Sequence, residues 1–424
     1  MGMFSALRFR DFRFVLLTLV LSQGGYWGCN IAFQSVLAEV DDTPATMGAL
    51  FFCLLVPYTL FSIPAGVLAD AFDRRRLQIG VLLAVSVLAG VCAATAAADI
   101  ADLPVLLALA FLAGTGVSIL SPVTQALVAN TVPAEALGTA VPLQAAGLNL
   151  ARSIGPAVAG LILVAWGALG TFMMYATLSL ASVVAATAIR TRRVPPVVPV
   201  VRESLTAQVR AGIRHALQRP PAALCLTIVG VNAFFGCAFT TQLSVRAAST
   251  SDHPDTVFPM LVALTGVGSL VGVLVVARLS KRIATVRHAA FILALLAVST
   301  ALLGTATTVP LLAAAALLCG AFSIGTMVTL QTIVQRVVDD AQRGRVMSLY
   351  FLGWGGMPFG ALLLGGLSTW FGSATAFLLY AAACLAMAAT VLVRLHRRGD
   401  SDPHRPLPGV PRDRPANVDG GFIV

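Results

Sequence analysis

Twelve long apolar runs divide this chain, and its polar residues fall mostly in the short breaks between them. The runs cover 14–38, 47–69, 77–98, 104–129, 138–164 and 169–189, then 222–244, 257–277, 288–308, 310–334, 345–369 and 374–394. Each is long enough for a helix to cross hydrocarbon, which takes about 20 residues. Within a bilayer, a segment without a closed barrel must satisfy its backbone as helix. The pattern therefore predicts an all-α integral membrane protein with twelve transmembrane helices. The first run is too long for a signal-peptide core and has no small-residue cleavage site, so it reads as a retained span.

The breaks complete the layout. A short amphipathic lead, Leu7 to Arg13, precedes the first run. The one long connection, 190–221, opens with Pro195, Pro196 and Pro199, then places Leu205, Val209, Ile213 and Leu217 at helical spacing. It reads as a linker followed by an interfacial helix on the cytoplasmic side. The expected units are a six-helix bundle over 1–189, the linker 190–221, a second six-helix bundle over 222–396, and a disordered cytoplasmic tail over 397–424 rich in Pro, Asp and Arg.

Charge fixes the orientation. Only 11% of the 424 residues are charged and 58% are hydrophobic, against about a quarter charged in soluble domains. The net charge of +10 could suggest nucleic acid, but the arginines sit in alternate breaks. Arg74, Arg75 and Arg76, the 190–219 group, Arg278 to Arg287, Arg336 to Arg345 and the tail lie on one side. The other side holds Arg246 beside Glu39, Asp41, Asp42, Asp99, Asp102, Asp252 and Asp255. By the positive-inside rule both termini are cytoplasmic, and the basic side meets membrane lipid rather than nucleic acid. The seven cysteines lie inside apolar runs without a CxxC pair, and the five histidines lie in breaks or near run ends. No metal site, cofactor motif or catalytic constellation stands out, so the chain reads as neither an enzyme nor a cofactor protein.

An offset of 206 residues relates the halves. It lays Gly66 on Gly272, Arg75 on Lys281, Gln125 on Gln331, Gly138 on Gly344 and Gly147 on Gly353. Parallel repeats of this kind place a substrate site between the halves near the bilayer midplane. Arg152 is the only charged residue well inside any run. It faces either a water-filled cavity, where an anionic ligand or Asn149 answers it, or helix carbonyls that it braces. Gln23, Trp27, Asn30 and Gln34 share one face of the first span, and the seventh repeats the theme with Asn232, Phe235, Phe239 and Gln242. Such stripes line a cavity for an amphipathic, ring-bearing molecule, or else bond helices together. Gln125, Gln331, Tyr350 and Trp354 are weaker candidates of the same kind.

The turn Gly66-Val-Leu-Ala-Asp70-Ala-Phe-Asp-Arg74-Arg75 resembles the loop-2–3 signature of the major facilitator superfamily, with Ala71 and Asp73 departing from it. Gly155-Pro156 with Gly160 resembles the fifth-helix signature of that superfamily's exporters, with Ala151 and Ala159 in place of two glycines. The Phe12-Arg13 lead, Ala69-Asp70, Arg152 before Gly155-Pro156, and the block Gln331, Gln335-Arg336-Val337 and Arg343 to Ser348 resemble the branch holding the enterobactin exporter and macrolide-efflux proteins. The resemblance implies two six-helix bundles rocking around a central site, and export of a siderophore, macrolide-like drug or other secondary metabolite by proton antiport. A facilitator or uniporter for a small anionic metabolite, and a scaffold or receptor that transports nothing, stay open. Asp70 against Gly344 and Arg345 would form a cytoplasmic latch, with Gly66, Arg74 and Arg75 shaping the turn. No acid lies in any run, so Asp70, or next Glu135, is the expected coupling group. The Ala- and Arg-rich, nearly Lys-free composition suggests a high-GC bacterium, hence the plasma membrane, and a monomer is expected.

Overall fold

The computed structural model describes residues 5–98, 100–133, 136–190, 214, 220–283, 285–337, 350 and 353–397. Among them there is no strand. The first half holds α1 (Arg10–Val40), α2 (Pro44–Ala71), α3 (Arg74–Ala97), α4 (Leu103–Thr131) and α5 (Leu137–Thr187). The second holds α6 (Pro220–Val231), α7 (Leu243–Thr250), α8 (Pro254–Ile283), α9 (Val286–Thr305), α10 (Val309–Val337), α11 (Met357–Phe371) and α12 (Ser373–Arg397). Nine helical stretches among the described residues are long and apolar enough to cross a membrane. Of the others, α1 is long but carries the buried amides, and α11 has 15 residues.

The turns are written in the sequence. Thr43, Asp73, Asp102 and Thr285 each accept a hydrogen bond from a backbone N–H of the helix they precede, which satisfies one of the orphan donors at a helix start. Gly167 and Gly372 take positive φ, 63° and 81°, conformations that favour glycine. Gly372 separates α11 from α12. Gly167 splits α5 into two helices, 137–166 and 168–187.

The 206-residue offset reappears in the packing. Gly147 on α5 meets Leu16 of α1, and its counterpart Gly353 meets Val229 of α6. Gly114 on α4 lies so close to the Leu54 carbonyl of α2 that a Cβ would collide, and Gly320 on α10 repeats this against Thr265 of α8. Small residues let membrane helices approach, where dispersion and interhelical bonds hold them.

The seventh expected span is broken. After α6 the backbone makes a π turn over Asn232–Gly236, with Cys237 N–H donating to the Asn232 carbonyl at 2.8 Å, then a 3₁₀ segment over Ala238–Gln242. The path then continues to Thr250, so Arg246 lies inside a helix instead of in a loop. It is buried and spends its guanidinium on the carbonyls of Leu303 and Ala306 and on Ser249 Oγ.

The two halves meet along seams running toward the end that carries Asp41, Asp42, Asp102, Asp252 and Asp255, here called the acidic end. On one side Pro44 packs on Gly365, Gly48 on Ala361, and Phe52 on Phe359, whose ring centroids are 5.6 Å apart. On the other, Gly160 meets Pro259 and Gly266 meets Ala157 and Ser153. Gln242 adds a bond from Nε2 to the Pro44 carbonyl at 3.0 Å.

Candidate functional site: a cavity between the halves

Between the halves lies a cavity of about 110 Å³. α1 contributes Trp27, Asn30 and Gln34; α2 contributes Phe51; α5 contributes Arg152 and Pro156. The second half contributes Cys237, Phe239 and Thr240 from the broken segment, Thr265 and Ser269 from α8, Gly320 and Ser323 from α10, and Trp354. A larger groove of about 910 Å³ on the α3–α4 face is open and almost wholly apolar, with Asp73 and Arg76 at one end. It lacks the converging polar groups that mark a small-molecule site.

Arg152 is a charged residue of the cavity lining. Its Cζ lies 5.4 Å from the ring centroid of Trp27 in the first half and 5.1 Å from that of Trp354 in the second. Its titratable neighbours are the phenols Tyr58, Tyr350 and Tyr26 and the Cys237 thiol, with no carboxylate among the described ones. Nε is buried and has no hydrogen-bond partner among the described residues. Pro156, four residues on, has no N–H to give the Arg152 carbonyl, so the helix loses one bond at this level. Gly155 lies against the backbone of Gly24 on α1.

Asn30 and Gln34 are buried. Each spends its NH₂ on a carbonyl one turn back: Asn30 on Tyr26 O at 2.6 Å, Gln34 on Asn30 O at 3.4 Å. Among the described residues, Asn30 Oδ1 and Gln34 Oε1 are left buried and unpartnered, as is Trp27 Nε1.

The other sequence candidates stand apart from the cavity lining. Gln23 is buried, with Oε1 unpartnered. Asn149 is buried, and its carbonyl accepts from Ser153 Oγ at 3.0 Å. Asn232 turns its Nδ2 to Cys237 Sγ, and Gln242 reaches Pro44 as described. Phe235 packs on Phe234 and Tyr380, with centroids 4.7 and 5.0 Å away. A π turn inserts one residue, and one residue turns a helix by about 100°; hence the regular stripe divides, and Phe239 alone of its four members faces the cavity. Gln125 is exposed and Gln331 half-buried. The Tyr350 hydroxyl donates to Met327 O at 3.2 Å.

The arginines of the α2–α3 turn brace the first half. Arg74 bonds Ala69 O, Ala126 O and Asn130 Oδ1, and Arg75 bonds the carbonyls of Ala186 and Thr187 at the end of α5. Cations at helix C-termini satisfy orphan carbonyls and favour the dipole. Gly66 and Asp70 lie in the last turns of α2; the Asp70 side chain, Glu135, Gly344, Arg345, most of the 190–221 connection and the tail beyond 397 lie outside the described residues. Reading the sequence alone missed Phe51, Thr265, Ser269 and Ser323. Their hydroxyls and ring follow no period that separates cavity lining from helix packing.

The transmembrane secretion effector family matches this chain over residues 1–423. The chain belongs to that family, within the major facilitator superfamily. It is 26% identical to the staphyloferrin A transporter of Staphylococcus aureus over 345 residues, 80% of this chain and 85% of that protein. Its fold is like that of a solved POT family transporter (TM-score 0.70, 12% identity, 92% of this chain and 96% of the other). It is also like a solved bacterial homologue of the human lysosomal transporter Spinster in an inward-facing state (TM-score 0.60, 15% identity, 91% and 95%). The protein is thus a multi-pass transporter of the cell membrane with the major facilitator fold, and not an enzyme.

Proposed function

We propose that this transporter exports a small amphipathic molecule, such as a siderophore or another secondary metabolite, by alternating access and proton antiport. The halves comprise twelve passes, the basic end faces the cytoplasm, and the protein works as a monomer. The observation that carries this reading is the cavity itself. It lies between the halves, pairs two indoles and Phe239 with amides and one cation, and stands next to seams that run only toward the acidic end among the contacts described. Aromatic walls with a few fixed polar groups suit an amphipathic ligand. The staphyloferrin A transporter supports an iron-chelator type of cargo. Seams at the acidic end fit an outside-closed state that loads from the cytoplasm.

Coupling needs a group whose protonation competes with cargo or with closure, and Asp70 is the proposed carrier, with Glu135 second. A second reading, a uniporter for a small anion, is favoured by Arg152, which has no ion pair among the described residues. Proteoliposomes separate the two. With a pH gradient at zero membrane potential, dansylglycine, an aromatic carboxylate, accumulates against its own gradient, and Asp70→Asn abolishes this. Equilibration that ignores the pH gradient contradicts antiport.

A further inference from the structure

The charge in the cavity is only partly answered. A cation over an indole face recovers only a small part of what withdrawing an ion from water costs. Beyond the two rings, Arg152 makes no hydrogen bond or ion pair with any described residue. Five N–H donors in a planar fork are therefore available, and that fork fits the two oxygens of a carboxylate.

The α1 wall sets a second condition. Only an amide nitrogen can donate to a carbonyl, so the bonds to Tyr26 O and Asn30 O fix the orientation of Asn30 and Gln34. Their oxygens remain as buried acceptors beside the cavity. A buried acceptor left unmet carries a free-energy cost. A hydroxyl or N–H on the ligand relieves this cost, whereas a second carboxylate there would be repelled. The cavity, at about 110 Å³, is smaller than the roughly 300–1,000 Å³ of drug-sized sites, so in this state it takes a head group and not a macrocycle.

We infer that the cavity selects a carboxylate bearing a nearby hydroxyl or amide N–H, with the carboxylate on Arg152 between Trp27 and Trp354 and the donor on Asn30 and Gln34. This rests on the proposed transport through the same cavity but is tested by binding alone. Of the four tryptophans, Trp166→Phe and Trp370→Phe leave Trp27 and Trp354 as the emitters. In nanodiscs, mandelate should change their fluorescence saturably. Phenylacetate, which lacks the hydroxyl, should bind several-fold more weakly, and uncharged methyl mandelate at least tenfold more weakly.

Arg152→Gln should lose at least tenfold for mandelate, and Arg152→Lys, which keeps charge but not the fork, should recover only part of it. Asn30→Val with Gln34→Leu should remove the preference for mandelate over phenylacetate while phenylacetate still binds. Methyl mandelate binding as well as mandelate, or no saturable response to either anion, overturns the assignment. The ligand series on unmutated Arg152 decides even if the Arg152 variants fail to fold. Anion binding without flux in proteoliposomes would refute the transport reading and spare this one. Flux without anion preference would do the reverse.

Discussion

Asp42 sits in the three-residue turn between α1 and α2 with Oδ1 buried and without a hydrogen-bond partner among the described residues. Burial, and next the neighbouring Asp41 carboxylate, push its pKa above the usual carboxylate range. The folded protein therefore holds this proton at a pH where the unfolded chain has released it. Stability contributed here is present below the ordinary carboxylate pKa and is lost as pH rises through the raised one. Asp42→Asn should melt at a higher temperature than the parent near pH 7, and the gap should close as pH falls to about 4. A gap of the same size at both pH values would contradict this. The sequence showed Asp42 as one of several acids at a span mouth; what it could not show is that one carboxylate oxygen is shielded by its neighbours. Arg152 was the opposite case, since a lone charge in an apolar run is visible without coordinates. Its two indole neighbours were also visible as cavity candidates, yet nothing in their spacing joined Trp27 to Trp354 across the two halves.

At the scale of elements, helix crossings are set by glycines. A Cβ at Gly268 on α8 would collide with the Leu317 carbonyl of α10, and backbone cannot step aside as a side chain can. Gly268→Val should force the two helices apart at a cost of about 1–3 kcal/mol, read as a lower melting temperature in detergent. A methyl group added at Gly90 would meet nothing within 4 Å, so Gly90→Ala should leave melting unchanged or slightly raised. Equal loss in both variants would show that the crossing is not what glycine provides. Helix limits were legible because the breaks between apolar runs hold Thr43, Asp73 and Asp102, which cap the helices that follow. The break after α6 was not. It depends on a π turn whose Asn232 contacts Cys237, where the residues themselves form an unbroken apolar helix pattern. Periodicity therefore puts Phe235 and Phe239 on one face, whereas Phe239 lines the cavity and Phe235 packs on Phe234 and Tyr380.

For the whole molecule, the central claim is that cargo passes through the cavity by parting of the two halves at the acidic end. The sequence carried the superfamily; that the seams run toward the acidic end follows only from contacts between residues far apart in the chain, such as Pro44 with Gly365 and Gly160 with Pro259. The seam offers a direct test at Phe52 and Phe359, whose ring centroids are 5.6 Å apart. Phe52→Cys with Phe359→Cys can be bridged by a short, reducible bis-methanethiosulfonate reagent. Six of the seven native cysteines are buried and Cys53 is half-buried, so each single variant serves as the control. The bridged protein in liposomes should still bind dansylglycine but lose its flux, and dithiothreitol should restore the flux; flux that persists with the bridge fully formed would contradict the account.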